Sequence, residues 1–166
     1  STLNYLLGLD LGGTSIKAVA VTATGEPLRR RSLAFVDRDM EWARKIRALV
    51  RAWRRELGEP AGIGLSAPGL AAKDARSIGV MPGRLLGLER LDLTDYLAAS
   101  RPIPVLNDAH AALACAVAAG ARFVRVNVHT GAAVTDQGVI EGEAASTLRL
   151  RDQLGASPGT ARPVAI

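Results

Sequence analysis

"LLGLDLGGTSIKAVAVT", Leu6 to Thr22, decides the reading of the fold. A short apolar run ends in the carboxylate of Asp10, two glycines and a hydroxyl form a bend, and a second apolar run begins. The two runs are expected to pair as a hairpin. Tyr5–Asp10 reads as a short buried strand, and Thr14–Thr22 alternates Ile16, Ala18 and Ala20 against Lys17, Val19 and Val21, as a strand covered on both faces would. At the bend, glycine has no Cβ in the way and tolerates positive φ, so backbone N–H groups can approach an anion closely. Thr14 adds a hydroxyl donor. Asp10 can hold Mg²⁺ through water, because magnesium takes carboxylate oxygens and keeps much of its hydration shell. Asp10, Gly12, Gly13 and Thr14 thus read as a nucleotide-phosphate loop on a hairpin, against the alternative of an ordinary Gly-Gly turn. A P-loop would need a Lys followed by Ser or Thr and then a helix.

Outward from this hairpin, "TATGEP" is a turn and "PLRRRSLAF" returns as an edge strand with its arginines in water. Met40, Ala43, Ile46, Leu49, Val50, Trp53 and Leu57 then recur at spacings of three and four, opposite Arg44, Lys45, Arg47, Arg51, Arg54 and Arg55. That spacing predicts an amphipathic helix, stopped by Gly58 and Pro60. "AGIGLS" follows as a fourth, parallel strand. "DLTDYLAAS" is a short helix with Asp92 as its N-cap, "IPVLND" a strand, "AHAALACAVAAGA" an alanine-rich helix, and "RFVRVNVHTG" the start of another strand.

"IPVLNDAHAALA" places Asn107 and Asp108 where a strand gives way to a helix, the position from which polar side chains project into the crevice at the carboxyl end of a sheet. A carboxylate there can take a proton from a substrate hydroxyl, and an Asn beside it can orient that hydroxyl. The competing reading is that Asn107 or Asp108 simply caps the helix.

Bulk properties narrow the class. A chain of 166 residues suffices for one domain with a real core, and 48% apolar with only 4% aromatic residues makes that core mostly Ala, Leu, Val and Ile. The single Cys115 rules out an internal disulfide and, with His110 and His129 standing alone, gives no zinc site. The formal charge of +5 comes from arginines without interleaved aromatics, so solvated basic faces are expected and nucleic acid is not. No segment approaches the ~20 apolar residues of a membrane span and no signal sequence is visible at the N-terminus, so a cytoplasmic location and no membrane partner are expected.

Taken in order, "GLDLGGTSIKAVAV", "GIGLSAPGL", "MPGRL" and "PVLNDAHAALA" resemble the ROK family (repressors, open reading frames, kinases), bacterial sugar kinases of the actin-like ATPase superfamily that includes glucokinases. The likeness covers roughly residues 5 to 120. It implies an α/β fold, an RNase H-like lobe with a mixed sheet flanked by helices, and ATP-dependent phosphorylation of a hexose or amino sugar with Mg²⁺. By the resemblance Asp10, Gly12, Gly13 and Thr14 match the first phosphate motif, Asp108 the catalytic base and Asn107 its sugar-contacting neighbour. "SAPG" matches the sugar loop, so Gly69 would approach the sugar through its backbone, against a plain strand exit bent by Pro68.

Two departures accompany the likeness. Family kinases carry an Asn before a "PGW"-like stretch, whereas here Val80 and Met81 precede Pro82 and Gly83, and Arg84 follows. The family's other phosphate loop, "GTGIGGG", has as its counterpart "VHTGAAVTDQGVIEG", which keeps Thr130 and Gly131 as phosphate contacts and loses the remaining glycines. The expected organisation is a ROK-type N-terminal lobe over residues 1–142 and an irregular tail over 143–166, from truncation or a disrupted reading frame. Such a chain would be weakly active or inactive alone. Self-association through surface that a second lobe would cover is expected. The alternatives are a noncatalytic product and a sugar-responsive regulator lacking its DNA-binding segment.

Overall fold

The computed structural model describes residues 4–81, 83–120, 132–135, 138–141, 144–161 and 163–165. The hairpin forms as the sequence predicts: β1 (Tyr5–Leu11) pairs antiparallel with β2 (Ser15–Thr22), with Asp10 opposite Lys17 and Leu11 opposite Ile16. β3 (Pro27–Ala34) returns antiparallel along β2 as an edge strand, and its arginines Arg29, Arg30 and Arg31 are exposed. The predicted amphipathic helix is α1 (Glu41–Leu57). All seven apolar positions except Met40 lie within it and are buried, and Trp42, absent from the expected stripe, is fully buried as well.

β4 (Gly62–Ala67) runs parallel to β1, so α1 is the crossover between them. The small strands β5 (Leu70–Ala71) and β6 (Ile78–Val80) form a separate antiparallel pair that the sequence did not announce. α2 (Leu93–Tyr96) is capped as expected, the Asp92 carboxylate accepting the Thr94 N–H at 2.8 Å. β7 (Val105–Asn107) pairs parallel with β4 and completes a five-stranded sheet of order β3-β2-β1-β4-β7. Three antiparallel strands extended by two parallel ones, with a helix in the crossover, make the mixed α/β sheet of an RNase H-like lobe.

One face of this sheet carries the core. Tyr5, Leu7, Leu9 and Leu11 of β1, Ile16, Ala18 and Ala20 of β2, and Ile63, Leu65 and Ala67 of β4 are buried in one cluster with the apolar stripe of α1. The expectation of strands covered on both faces is corrected here. Leu6 is exposed, Lys17 is exposed, and Gly8, Val19, Val21, Gly62 and Gly64 are only partly covered, because glycines on β1 and β4 give the second face little side chain to bury.

The chain divides into two compact units, one ending at Asn107 and the other beginning at Asp108. The second unit contains α3 (Asp108–Ala118), the hairpin of β8 (Ala132–Thr135) and β9 (Gly138–Glu141), and α4 (Ala144–Gln153). This differs from a single lobe to residue 142 with an irregular tail. Residues 144–153 are helical, and Ala156 and Val164 beyond them are buried in a cluster with Leu113 of α3, against which Val117 and Leu150 pack. Burial of these apolar side chains is what orders the segment.

Candidate functional site

The end of β1 and the end of β4 meet at a polar row. Parallel register places Asp10 beside Ser66, and antiparallel register places Asp10 beside Lys17. Because side chains alternate along a strand, all three project from the face opposite the core. Ser66 Oγ donates to Asp10 Oδ1 at 2.8 Å, and Lys17 Nζ stands 3.8 Å from Asp10 Oδ2. The Asp10 side chain is 47% exposed, so a carboxylate that is oriented by one hydroxyl still opens to solvent. That donor set suits a hydrated magnesium ion: one carboxylate, reachable through water, without a cage of protein ligands. Among the described residues no cluster of three or more His, Cys, Asp or Glu could hold a metal by itself.

The Gly-Gly bend follows directly. Its closure uses the Gly12 N–H, which donates to the Ser15 carbonyl at 2.8 Å, and the Thr14 carbonyl, which accepts from the Phe35 N–H at 3.0 Å. The Gly13 and Thr14 N–H groups and the Thr14 hydroxyl make no hydrogen bond among the described residues. The expected reason for glycine is corrected in one respect: neither Gly12 nor Gly13 adopts a positive φ. What the glycines supply is space. A Cβ on Gly12 would lie 3.2 Å from the Ser15 carbonyl oxygen, and one on Gly13 would fall into the guanidinium of Arg84, with Cζ at 3.0 Å.

Gly69 does require its special backbone. Its φ is +95°, and a Cβ there would stand 2.6 Å from the Val80 carbonyl oxygen and 2.9 Å from Ile78 Cγ2. The close pairing of β5 with β6 therefore explains this glycine on structural grounds alone. Asn107 ends β7 opposite Ala67, one residue past the row that contains Asp10, Ser66 and Leu106. It thus shares the carboxyl edge of the parallel strands with Asp10. Asp108 is exposed and opens α3 in the second unit. Thr130 and Gly131 lie outside the described residues.

Sequence reasoning missed Ser66 and Lys17 as partners of Asp10, and it treated Arg84 only as a departure. The loop bearing Arg84 is pinned at three points. Asp37 Oδ2 accepts the Leu85 N–H at 2.7 Å, the Trp42 indole N–H donates to the Leu86 carbonyl at 3.2 Å, and Leu85 and Leu88 are buried.

A parallel strand ending in a carboxylate, a Gly-Gly bend at its exit, and a sheet of order β3-β2-β1-β4-β7 define a lobe of the actin-like ATPase class. The chain is similar to a ROK hexokinase from Thermus thermophilus (27% identity, TM-score 0.53, covering 68% of this chain and 38% of that one). It is also similar to an inorganic polyphosphate/ATP-glucomannokinase from an Arthrobacter strain (23% identity, TM-score 0.60, covering 85% and 62%). A third solved structure, a ROK family transcriptional regulator, matches in fold at 19% identity and TM-score 0.57, covering 83% of this chain and 38% of that one. Over most of its length the chain is thus similar in structure to ROK family sugar kinases and glucokinases, which supports the resemblance read from its motifs. It spans less than two thirds of each of these proteins.

A second likeness overlaps the first. The model of the BtpA family matches residues 94–163. Over 48 residues the chain is 60% identical to the photosystem I biogenesis protein BtpA of Synechocystis, a stretch that is 29% of this chain and 17% of that protein. The BtpA-matched segment contains Asn107, Asp108, Thr130 and Gly131, and nearly all of the second unit.

Proposed function

We propose that the first unit is the phosphate-facing lobe of an ATP-dependent kinase acting on a hexose or amino sugar. The observation that carries this reading is the oriented Asp10 carboxylate, held by Ser66 at the exit of β1, beside a bend with two amides and a hydroxyl left over. In phosphoryl transfer most of the catalysis is positioning and charge stabilisation, so this is the equipment such a lobe needs. The bend, with Gly12 closing it and the Gly13 and Thr14 N–H groups open, would receive phosphate oxygens. Asp10 would hold hydrated Mg²⁺, whose charge the phosphates require. Asn107, at the carboxyl edge of the same sheet, would orient a sugar hydroxyl, with the Gly69 backbone on the sugar side and Asp108 accepting the proton. Thr130 and Gly131 complete the proposal as second-loop phosphate contacts. A coupled assay of the 166-residue chain with Mg·ATP and a panel of hexoses and amino sugars tests it: sugar-dependent ADP release supports the kinase, and none with any sugar overturns catalysis by this chain.

The BtpA likeness favours a second reading, a noncatalytic chain. The same segment that supplies Asp108, Thr130 and Gly131 matches the BtpA family model, and on this reading those residues serve no phosphoryl transfer. The fold likeness to a ROK regulator leaves a third role, sugar-responsive regulation, which a DNA titration with and without sugar examines directly.

A further inference from the structure

Arg84 stands where the resemblance to the ROK kinases leads one to expect an aromatic residue, and the structure brings its guanidinium over Gly13. It makes no hydrogen bond or ion pair among the described residues, although two carboxylates bind the backbone of its loop: Glu89 accepts the Met81 N–H at 2.6 Å, and Asp37, from the connection before α1, accepts the Leu85 N–H. The backbone on its C-terminal side is fixed by Asp37, by the Trp42 indole and by two buried leucines, so the cation is presented on an anchored loop. An arginine held beside unused backbone amides and a hydroxyl is a fork of N–H donors without an acceptor, and phosphate oxygens match that fork bidentately.

We propose that Arg84 is a phosphate-binding residue, which together with the Gly13 and Thr14 N–H groups forms a site for a polyphosphate chain, nucleotide-borne or inorganic. This rests on reading the Gly12–Thr14 bend as a phosphate loop and adds to it a cation that sets how strongly the phosphoryl donor is held. Asp10 and Lys17 lie on the adjoining strand ends, so an incoming polyphosphate meets two cations and one carboxylate, and Mg²⁺ on Asp10 would remove the remaining repulsion.

The test uses the 166-residue chain, ¹⁵N-labelled, titrated separately with inorganic tripolyphosphate and with Mg·AMP-PNP. The two arms separate an inorganic source from a nucleotide one. In the unaltered chain the Gly13 and Thr14 amide resonances are expected to shift on titration. Arg84→Ala should weaken binding about tenfold or more, as loss of a charge-assisted contact does, Arg84→Lys should restore part of it, and Arg51→Ala, which removes an exposed charge on α1, should leave it unchanged. If Arg84→Ala binds as well as the unaltered chain while the Gly13 and Thr14 amides still shift, the role of Arg84 is overturned and the phosphate loop stands. If neither probe shifts those amides in the unaltered chain, both fall. Equal weakening by Arg51→Ala would show nonspecific charge attraction and would also overturn the assignment.

Discussion

Ser66 Oγ donates to Asp10 Oδ1 across 2.8 Å and so links two parallel strand ends that lie 56 residues apart in sequence. The bond leaves Oδ2 and much of the carboxylate in solvent, where Lys17 is the nearest cation. Ser66→Ala should therefore cost only about 0.5–1.5 kcal/mol of stability, the usual net worth of such a bond. It should also let the Asp10 carboxylate rotate. The expected outcome is a small fall in the denaturation midpoint together with a weaker Mg²⁺ dependence of AMP-PNP binding. Asp10→Asn should abolish that Mg²⁺ dependence while the fold survives.

The two glycine classes predict opposite results. Gly69→Ala puts a Cβ against the Val80 carbonyl oxygen at a φ of +95°, where backbone cannot yield cheaply. It should destabilise the chain by at least ~1–2 kcal/mol. Gly13→Ala meets only the far end of the Arg84 side chain and a normal φ, so its stability should change little. Its effect should appear in polyphosphate binding, as Arg84 swings away. Gly13→Val should do the same more strongly. Urea denaturation and titration of each variant separate the two, and equal stability losses at both sites would contradict the geometry.

Local pattern made much of the first unit legible. The hairpin, the basic edge strand, α1 and the Asp92 cap each arise from neighbours in sequence, through alternation, a period near 3.6 residues, or a side chain reaching its own helix. Ser66 was not legible as the partner of Asp10, because their meeting depends on the register of β4 against β1, which no local pattern encodes. β5 and β6 have two and three residues, too few to show alternation. In α4 the buried position is Thr147, a polar residue, and Leu148 and Leu150 stand two apart, so the helical period is hidden from an apolar count. The stretch "VHTGAAVTDQGVIEG", read against a kinase loop, also lies within the BtpA-matched segment, a likeness that no short motif in it signals.

Trp42 joins the core to the Arg84 loop. Its ring is fully buried, and its indole N–H reaches the Leu86 carbonyl at 3.2 Å. Trp42→Ala should cost about 3–5 kcal/mol, as large-to-small core changes do. Trp42→Phe keeps most of the buried ring and loses only the bond to Leu86. It should leave the chain folded, with faster amide exchange confined to residues 84–88, and exchange unchanged there would show that the indole bond does not hold the loop.

Tyr5 gives a pH dependence. Its hydroxyl donates to the Gly58 carbonyl at 3.0 Å, tying β1 to the C-terminal cap of α1. Burial pushes its ionisation above the usual value of 10.0, the Glu59 carboxylate pushes the same way, and Arg54 opposes them. A folded-state pKa raised above the unfolded one means that the neutral hydroxyl is favoured by folding. The associated stability is fully present below about pH 10 and is lost as pH rises through the folded pKa. Tyr5→Phe should cost about 1 kcal/mol near neutrality and flatten the alkaline fall of the unfolding midpoint. An unchanged alkaline slope would assign that fall to other groups.

Asp108 separates the kinase reading from the one suggested by the BtpA likeness. It is exposed in the first turn of α3, where its charge also favours the helix N-terminus, and Asn107 precedes it at the cap position. If Asp108 accepts the sugar proton, Asp108→Asn keeps the size and the hydrogen-bonding capacity but removes the base, and sugar-dependent turnover should fall by ~10² to 10⁴. Stability should fall by no more than the ~0.3–1 kcal/mol of a lost charge at a helix terminus. If α3 is purely structural, Asp108→Asn should show only that small stability change, and Asn107→Ala should be the costlier variant at ~1 kcal/mol through loss of the cap. Measuring both variants for turnover and thermal unfolding decides between them. Turnover retained in Asp108→Asn would remove the base from the kinase, and absence of turnover in the unaltered chain, with Asn107→Ala the only destabilised variant, would leave the segment to the BtpA likeness.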